Sequence, residues 1–512
     1  MSDVVAFSVD GRPVSVSDDG CSLLEALRDR LAIRSPKDGC SPQGQCGCCT
    51  VLVDGQPRVA CVTPARRVAG RAVTTVDGLP DARGWAEAFT RTGASQCGFC
   101  SPGIIVRLAA LSAGGPVNEH DVDRALLAHL CRCTGWQTIR EAALGKGGQT
   151  VQNGAPRDLE AAARRATIEG GRPQRVQPEV ALGRGGFADD TAPEGALVAV
   201  LDGAGGWVVG GTVVEARRKA GKVQGRRTTA ALRWPLDVPP GAWERTLRTT
   251  WVEPAYLETD AAWCEPGGTP TSPLANGGAF GGKEGSGVAA AARALADEHG
   301  RPVRVLYARE DAVRRGPKRP PIAAGVRADG TGELRVVRTD GIAAAITAVA
   351  PGLVVEEVEV PGPPTSSRLR AAGWAEAAVL AASLTEGADG WDQVRSPGGA
   401  VAWAIVDERG VRVTVRCGDP LDEVVLRSYC IGAAHMALGW VRHEGIAVDE
   451  EGECLDLTVR SFGVLRAGDT PRIEVTVLDE DAPPVNGSDA VFAAVAAAAW
   501  RHAGFPAAWP TR

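Results

Sequence analysis

Ten of the fourteen cysteines lie within the first 133 residues, and their spacing constrains the fold more than any other feature. Cys40, Cys46 and Cys49 form C-x5-C-x2-C, and Cys61 follows after eleven intervening residues. Three cysteines this close converge on one small volume only in a curled loop. The stretch 39–49 is glycine-rich, and glycine permits the positive dihedrals that aim backbone N–H groups at sulfur. The plant-type [2Fe-2S] spacing is C-x4-C-x2-C with a distant fourth cysteine, so the first gap here is one residue longer. Zinc sites pair two C-x2-C knuckles, which this loop lacks. Cys48 adjoins Cys49 and is expected to point away from the site.

Around this loop the pattern predicts a hairpin, Val4–Val9 and Val14–Ser17 about Asp10-Gly11, and then a helix capped by Ser22 with Glu25 three residues on. Strand Thr50–Val53, turn Asp54-Gly55 and a short strand ending at Cys61 follow. A second set begins at Cys97 and Cys100, with Pro102 in the first turn of an apolar helix. Another helix, from Asn118 to Leu130, leads to Cys131 and Cys133. The C-x2-C and C-x-C pairs thus sit at facing helix ends, where helix N-termini stabilise thiolates.

A length of 512 residues predicts several domains. The net charge of −6 argues against nucleic acid or an anionic membrane as partner. No apolar run reaches the length of a membrane span, and residues 1–5 do not begin a secretory signal, so cytoplasm is the expected compartment. Residues 147–185 read as a linker with one short helix near Leu159. Beyond it, residues 277–283 fit G-x4-G-K, but Glu284 stands where a P-loop needs Ser or Thr for magnesium. His435, among small apolar residues, is expected to be packed rather than to act as a ligand.

The order GCSPQGQCGCCTVLVDG, QCGFCSPG, CRCTGW resembles the iron–sulfur region of molybdenum hydroxylases, the xanthine dehydrogenase and aldehyde oxidase family. NGGAFGGKE resembles that family's glycine loop against the molybdopterin, and RPVRVLYAREDAVRRGPKRPP continues the likeness. The resemblance implies an α+β multidomain fold. A β-grasp [2Fe-2S] ferredoxin domain would span 1–76 and a helical [2Fe-2S] domain 77–146. After the linker, a shortened, mixed α/β molybdopterin-binding-like region would span 186–512. It implies that Cys40, Cys46, Cys49 and Cys61 hold an outer cluster, and that Cys97, Cys100, Cys131 and Cys133 hold an inner one. Gln96, Gly277, Gly278, Phe280, Gly281 and Arg370 would lie against molybdopterin. No flavin domain intervenes, so a separate FAD subunit or an external electron acceptor is implied.

Two departures leave the activity open. The region after the linker is about half the family length, and Val485-Asn486-Gly487-Ser488-Asp489 stands where the family's Gly-Val-Gly-Glu supplies the general base. A serine is no base at neutral pH without help. One reading is an oxidoreductase that hydroxylates a small-molecule substrate, an N-heterocycle or an aldehyde, and passes electrons through both clusters. The other is an electron-transfer or scaffold subunit that docks on a catalytic partner. The catalytic residue is unknown on either reading.

Overall fold

A computed structural model describes residues 4–145, 157–274, 278–385 and 387–511. The expected hairpin forms from Val4–Val9 and Arg12–Ser17. It belongs to a five-stranded sheet in the order Arg12–Ser17, Val4–Val9, Ala72–Thr74, Thr50–Val53, Gln56–Val59. Val4–Val9 pairs in parallel with Ala72–Thr74, and the other neighbours are antiparallel. Ser22 and Glu25 make a reciprocal capping box before a short helical segment that ends at Arg30. The buried faces of these elements, Val5, Phe7, Leu23, Leu27, Val51 and Val73 among them, close over the cysteine loop.

Four helices follow: Ala82–Thr92, Ser101–Ser112, Glu119–Leu126 and Gln137–Ala143. The expected helix to Leu130 ends at Leu126. The chain turns there, and Leu130 N donates instead to Cys46 O at 3.0 Å. Helix Leu159–Gly170 lies within the stretch read as a linker, and its Arg165 is fully buried.

The rest is a mixed α/β arrangement with three four-stranded sheets. Their strand orders are 207–210, 197–201, 303–306, 261–264; 353–358, 332–337, 322–326, 245–248; and 392–395, 401–407, 410–416, 473–478. Helices Glu423–Arg442 and Ser488–His502 pack together against the last of these sheets and form the centre of the second core. By length and hydropathy, helix Glu423–Arg442 is apolar enough to cross a bilayer, against the expectation that no such run exists. In the fold 89% of its apolar window is buried, so its apolar length serves as a core. Residues from 446 to 467 join the same core as the cysteine loops.

Candidate metal centre

Ser41 and Gly44 take positive φ values of 46° and 70°, which curls the loop after Cys40 and absorbs its extra residue. Gln43 N and Gln45 N then both point at Cys40 Sγ, at 3.1 and 3.4 Å. Cys61 N donates to Cys49 Sγ at 3.4 Å. Hydrogen bonds from the Cys46 and Cys61 thiols hold Cys40 well below the ordinary thiol range. The same contacts push Cys46 and Cys61 up, Cys61 also through Cys49. Four buried sulfurs therefore share protons in one small volume, and N–H groups already face two of them.

Cys48 does not turn away. It is fully buried, its thiol contacts Cys46, and its charge is felt at Cys100. It therefore lies on the side of the outer set that faces the inner one.

In the inner set, Cys133 Sγ lies 3.7 Å from Cys97 Sγ. The Cys100 thiol, with Thr134 adding to it, holds Cys131 down to about 6. Cys100 stands at the N-cap of helix Ser101–Ser112, and its hydrogen bond to Cys131, with burial, pushes its own thiol up. Among the described residues no three His, Cys, Asp or Glu side chains converge as they would around a single ion. A [2Fe-2S] core asks for only two thiolates at each of its irons.

The two sets abut. A Cβ on Gly103 would sit 2.3 Å from Gly47 O, so the helix that begins beside Cys100 rests on the outer loop. Leu130 adjoins Cys131, and its hydrogen bond to Cys46 O links the two sets through one peptide contact.

The glycine loop reaches the inner set. Gly278, at φ 100°, comes so close that a Cβ there would be 3.1 Å from both Cys97 and Cys133 Sγ. Gly277 lies outside the described residues. Gln96 Nε2 donates to Cys133 O and to Ser428 Oγ, each at 3.0 Å, while its Oε1 is buried with no donor. Phe280 O accepts from Arg370 N at 3.0 Å, and the Arg370 guanidinium lies 3.9 Å above the Phe280 ring. Gly281, at φ 92°, passes directly over the backbone of Arg368.

Arg370 ends at the N-terminus of helix Ser488–His502. It donates to Asp489 Oδ1 and Ser488 Oγ, each at 2.9 Å. Burial raises the Asp489 carboxyl, and Arg370 opposes that shift. Asp489, one residue beyond the position where the family's general base is expected, is thus already tied to an arginine. Glu169, which sequence reasoning missed, caps the same helix by accepting from Gly487 N at 3.1 Å and Ser488 N at 2.8 Å. Its burial raises its carboxyl. Lys283, the lysine of the P-loop-like run, is buried and paired with Glu258 at 2.7 Å, so a protein carboxylate takes the place of an outside anion.

Arg132, between Cys131 and Cys133, makes a two-pronged pair with Glu444 at 2.5 and 2.9 Å. Its position in C-R-C was visible, but its partner lies 312 residues away and had no signal in the sequence. His435 is buried, with Nε2 at 3.1 Å from Leu465 O, as a packed histidine.

Residues 75–144 match the family profile of the [2Fe-2S] binding domain. Over 145 residues the chain is 40% identical to the nicotine 6-hydroxylase small subunit of Paenarthrobacter nicotinovorans, covering 28% of this chain and 87% of that one. The chain belongs to the molybdenum hydroxylase family. Another such relative, the iron–sulfur-binding subunit of xanthine dehydrogenase from Escherichia coli, is 37% identical over 141 residues, 26% of this chain and 86% of that one. Xanthine dehydrogenase of Drosophila subobscura is 38% identical over 156 residues, 27% of this chain, but the match spans only 12% of its length.

The fold of this family member is similar to that of the aldehyde oxidoreductase from Desulfovibrio desulfuricans, with a TM-score of 0.70 at 14% identity over 98% of both chains. The Desulfovibrio gigas enzyme gives 0.67 at 14% identity over 97% of both.

Proposed function

We propose that this chain is the electron-transfer component of a molybdenum-hydroxylase-type oxidoreductase. Cys97, Cys100, Cys131 and Cys133 hold an inner [2Fe-2S] cluster, and Cys40, Cys46, Cys49 and Cys61 hold an outer one. The reading assigns a β-grasp ferredoxin domain to 1–76, a helical cluster domain to 77–146, a linker to 147–185 and a molybdopterin-binding-like region to 186–512. The donor sets suit the clusters: four thiols each, all buried except the half-buried Cys97, sharing protons that iron would replace. The observation that carries the proposal is the 3.0 Å hydrogen bond from Leu130, beside Cys131, to the carbonyl of Cys46. It supplies a short bonded route for single electrons between the sets.

Molybdopterin fits the residues present poorly. The cavity between Cys133, Gly278 and Lys283 is about 20 Å³, and the one between Phe280, Arg370 and Phe492 about 50 Å³. Sites for ligands of that size run to roughly 300–1,000 Å³. Ser488 stands at the expected general-base position, and the neighbouring acid, Asp489, is held by Arg370. We therefore place the oxidation of the N-heterocycle or aldehyde on a catalytic partner. This chain relays the electrons inward to outward, then to an FAD subunit or an external acceptor. Relatives named as small or iron–sulfur-binding subunits support a multi-subunit assembly.

The second reading, a molybdopterin bound by this chain itself, is favoured by one observation, the orphaned Oε1 of Gln96 beside Cys133. Metal analysis separates the two. Purified protein is expected to carry about four irons and four labile sulfides per chain, two cluster signals by EPR after reduction, and no molybdenum. One molybdenum per chain overturns the division of labour, and a single cluster signal overturns the cysteine assignment.

A further inference from the structure

A groove of about 700 Å³ opens beside the five-stranded sheet, and no cysteine lines it. Four stretches build it: the hairpin turn at 9–12, the loop 32–35, Asp77-Gly78, and the segment 175–191. Its carboxylates are engaged elsewhere. Asp10 accepts from Thr75 N and Thr75 Oγ1 at 2.7 and 2.8 Å. Asp77 pairs with Arg184 at 2.7 Å, and Asp190 with Arg28 at 2.8 Å and with Lys37.

Its cations are not all engaged. Arg12 and Arg175 are exposed and have no ion pair among the described residues. Arg34 Nη1 is buried without a hydrogen bond, and the nearest carboxylate, Asp29, is 3.6 Å away. Ser35 is 7% exposed, and its Oγ has no partner. The groove is therefore lined by the unpartnered Ser35 hydroxyl, two guanidiniums without an ion pair, and Arg34, whose Nη1 has only the 3.6 Å pairing with Asp29 and no hydrogen bond. Behind them, Arg28 and Arg304 add positive charge that pulls the Arg34 pKa down, after burial itself. Ile33 and Leu182 give the groove an apolar wall.

Guanidinium forks and a hydroxyl donor match a phosphate monoester, and the volume suits an attached organic body. We propose that this groove binds a phosphorylated small molecule of mononucleotide size, its phosphate held by Arg34, Ser35, Arg12 and Arg175. The site is independent of the clusters and of the redox reading.

Calorimetric titration of the intact cluster-loaded chain tests it, with AMP, adenosine and inorganic phosphate as probes. AMP is expected to bind at least about tenfold more tightly than either of the others, and added salt to weaken it. The surface double variant Arg12→Ala, Arg175→Ala is expected to weaken AMP binding about tenfold or more. Ser35→Ala is expected to weaken it to a smaller degree, and both variants to keep both cluster signals. Absence of AMP binding at about millimolar concentration, equal affinity for AMP and inorganic phosphate, or AMP binding unchanged in the double variant each overturns the proposal.

Discussion

Cys133 illustrates how far single residues can be read. Its spacing from Cys131 marks it as a ligand, and the fold places it 3.7 Å from Cys97. Cys133→Ser is expected to abolish the inner cluster signal in EPR while the outer one persists. The role of Cys48 was not legible, because alternation beside Cys49 says nothing of what closes over the loop. Packed against Cys46, it is expected to be dispensable as a ligand, so Cys48→Ala should retain iron in both sites. His435 carries a pH prediction. Burial first, then Arg132, pushes its pKa down to about 3. In the unfolded chain it returns to about 6.5, so the unfolded state binds the extra proton. Its contribution is complete above pH 6.5 and is lost as pH falls toward 3. Urea midpoints are expected to drop between pH 7 and pH 5, and His435→Gln to flatten that slope.

Among the elements, the hairpin and the Ser22 cap follow from local chemistry, since a turn dipeptide and a capping box need only their neighbours. The helix before Cys131 shows the limit. Its apolar period runs to Leu130, yet it stops at Leu126 because the Leu130 N–H finds Cys46 O instead of a helical carbonyl. The glycine loop is held by backbone geometry. Gly281 sits at φ 92°, and a Cβ there would be 2.0 Å from Arg368 O. Gly281→Ala is expected to destabilise the protein by roughly 2 kcal/mol or more, through left-handed strain and displacement of the Arg368 segment. Thermal denaturation reads this directly.

At the scale of the molecule, ion pairs bind the cysteine region to the later sheets. Arg304 reaches Asp29 at 2.9 Å, Arg28 reaches Asp189 at 2.7 Å, and Arg132 holds Glu444 in the interior. Removing one partner leaves the other charge buried and unpaired. Glu444→Ala is therefore expected to cost roughly 3–5 kcal/mol, visible as a lowered melting temperature and early loss of the inner cluster signal.

By itself the sequence named eight candidate cluster ligands and the family, because thiolate spacing is a local property that survives without knowledge of what packs around it. It also flagged Ser488 at the general-base position. Tertiary structure alone decided the rest. It bound Asp489 to Arg370 across 119 residues and brought Glu169 to cap the last helix from 319 residues away. It pressed Gly278 against Cys97 and Cys133, and it gathered the arginine groove from four separate stretches. Those outcomes depend on which surfaces are buried together, and no local pattern of residues records that.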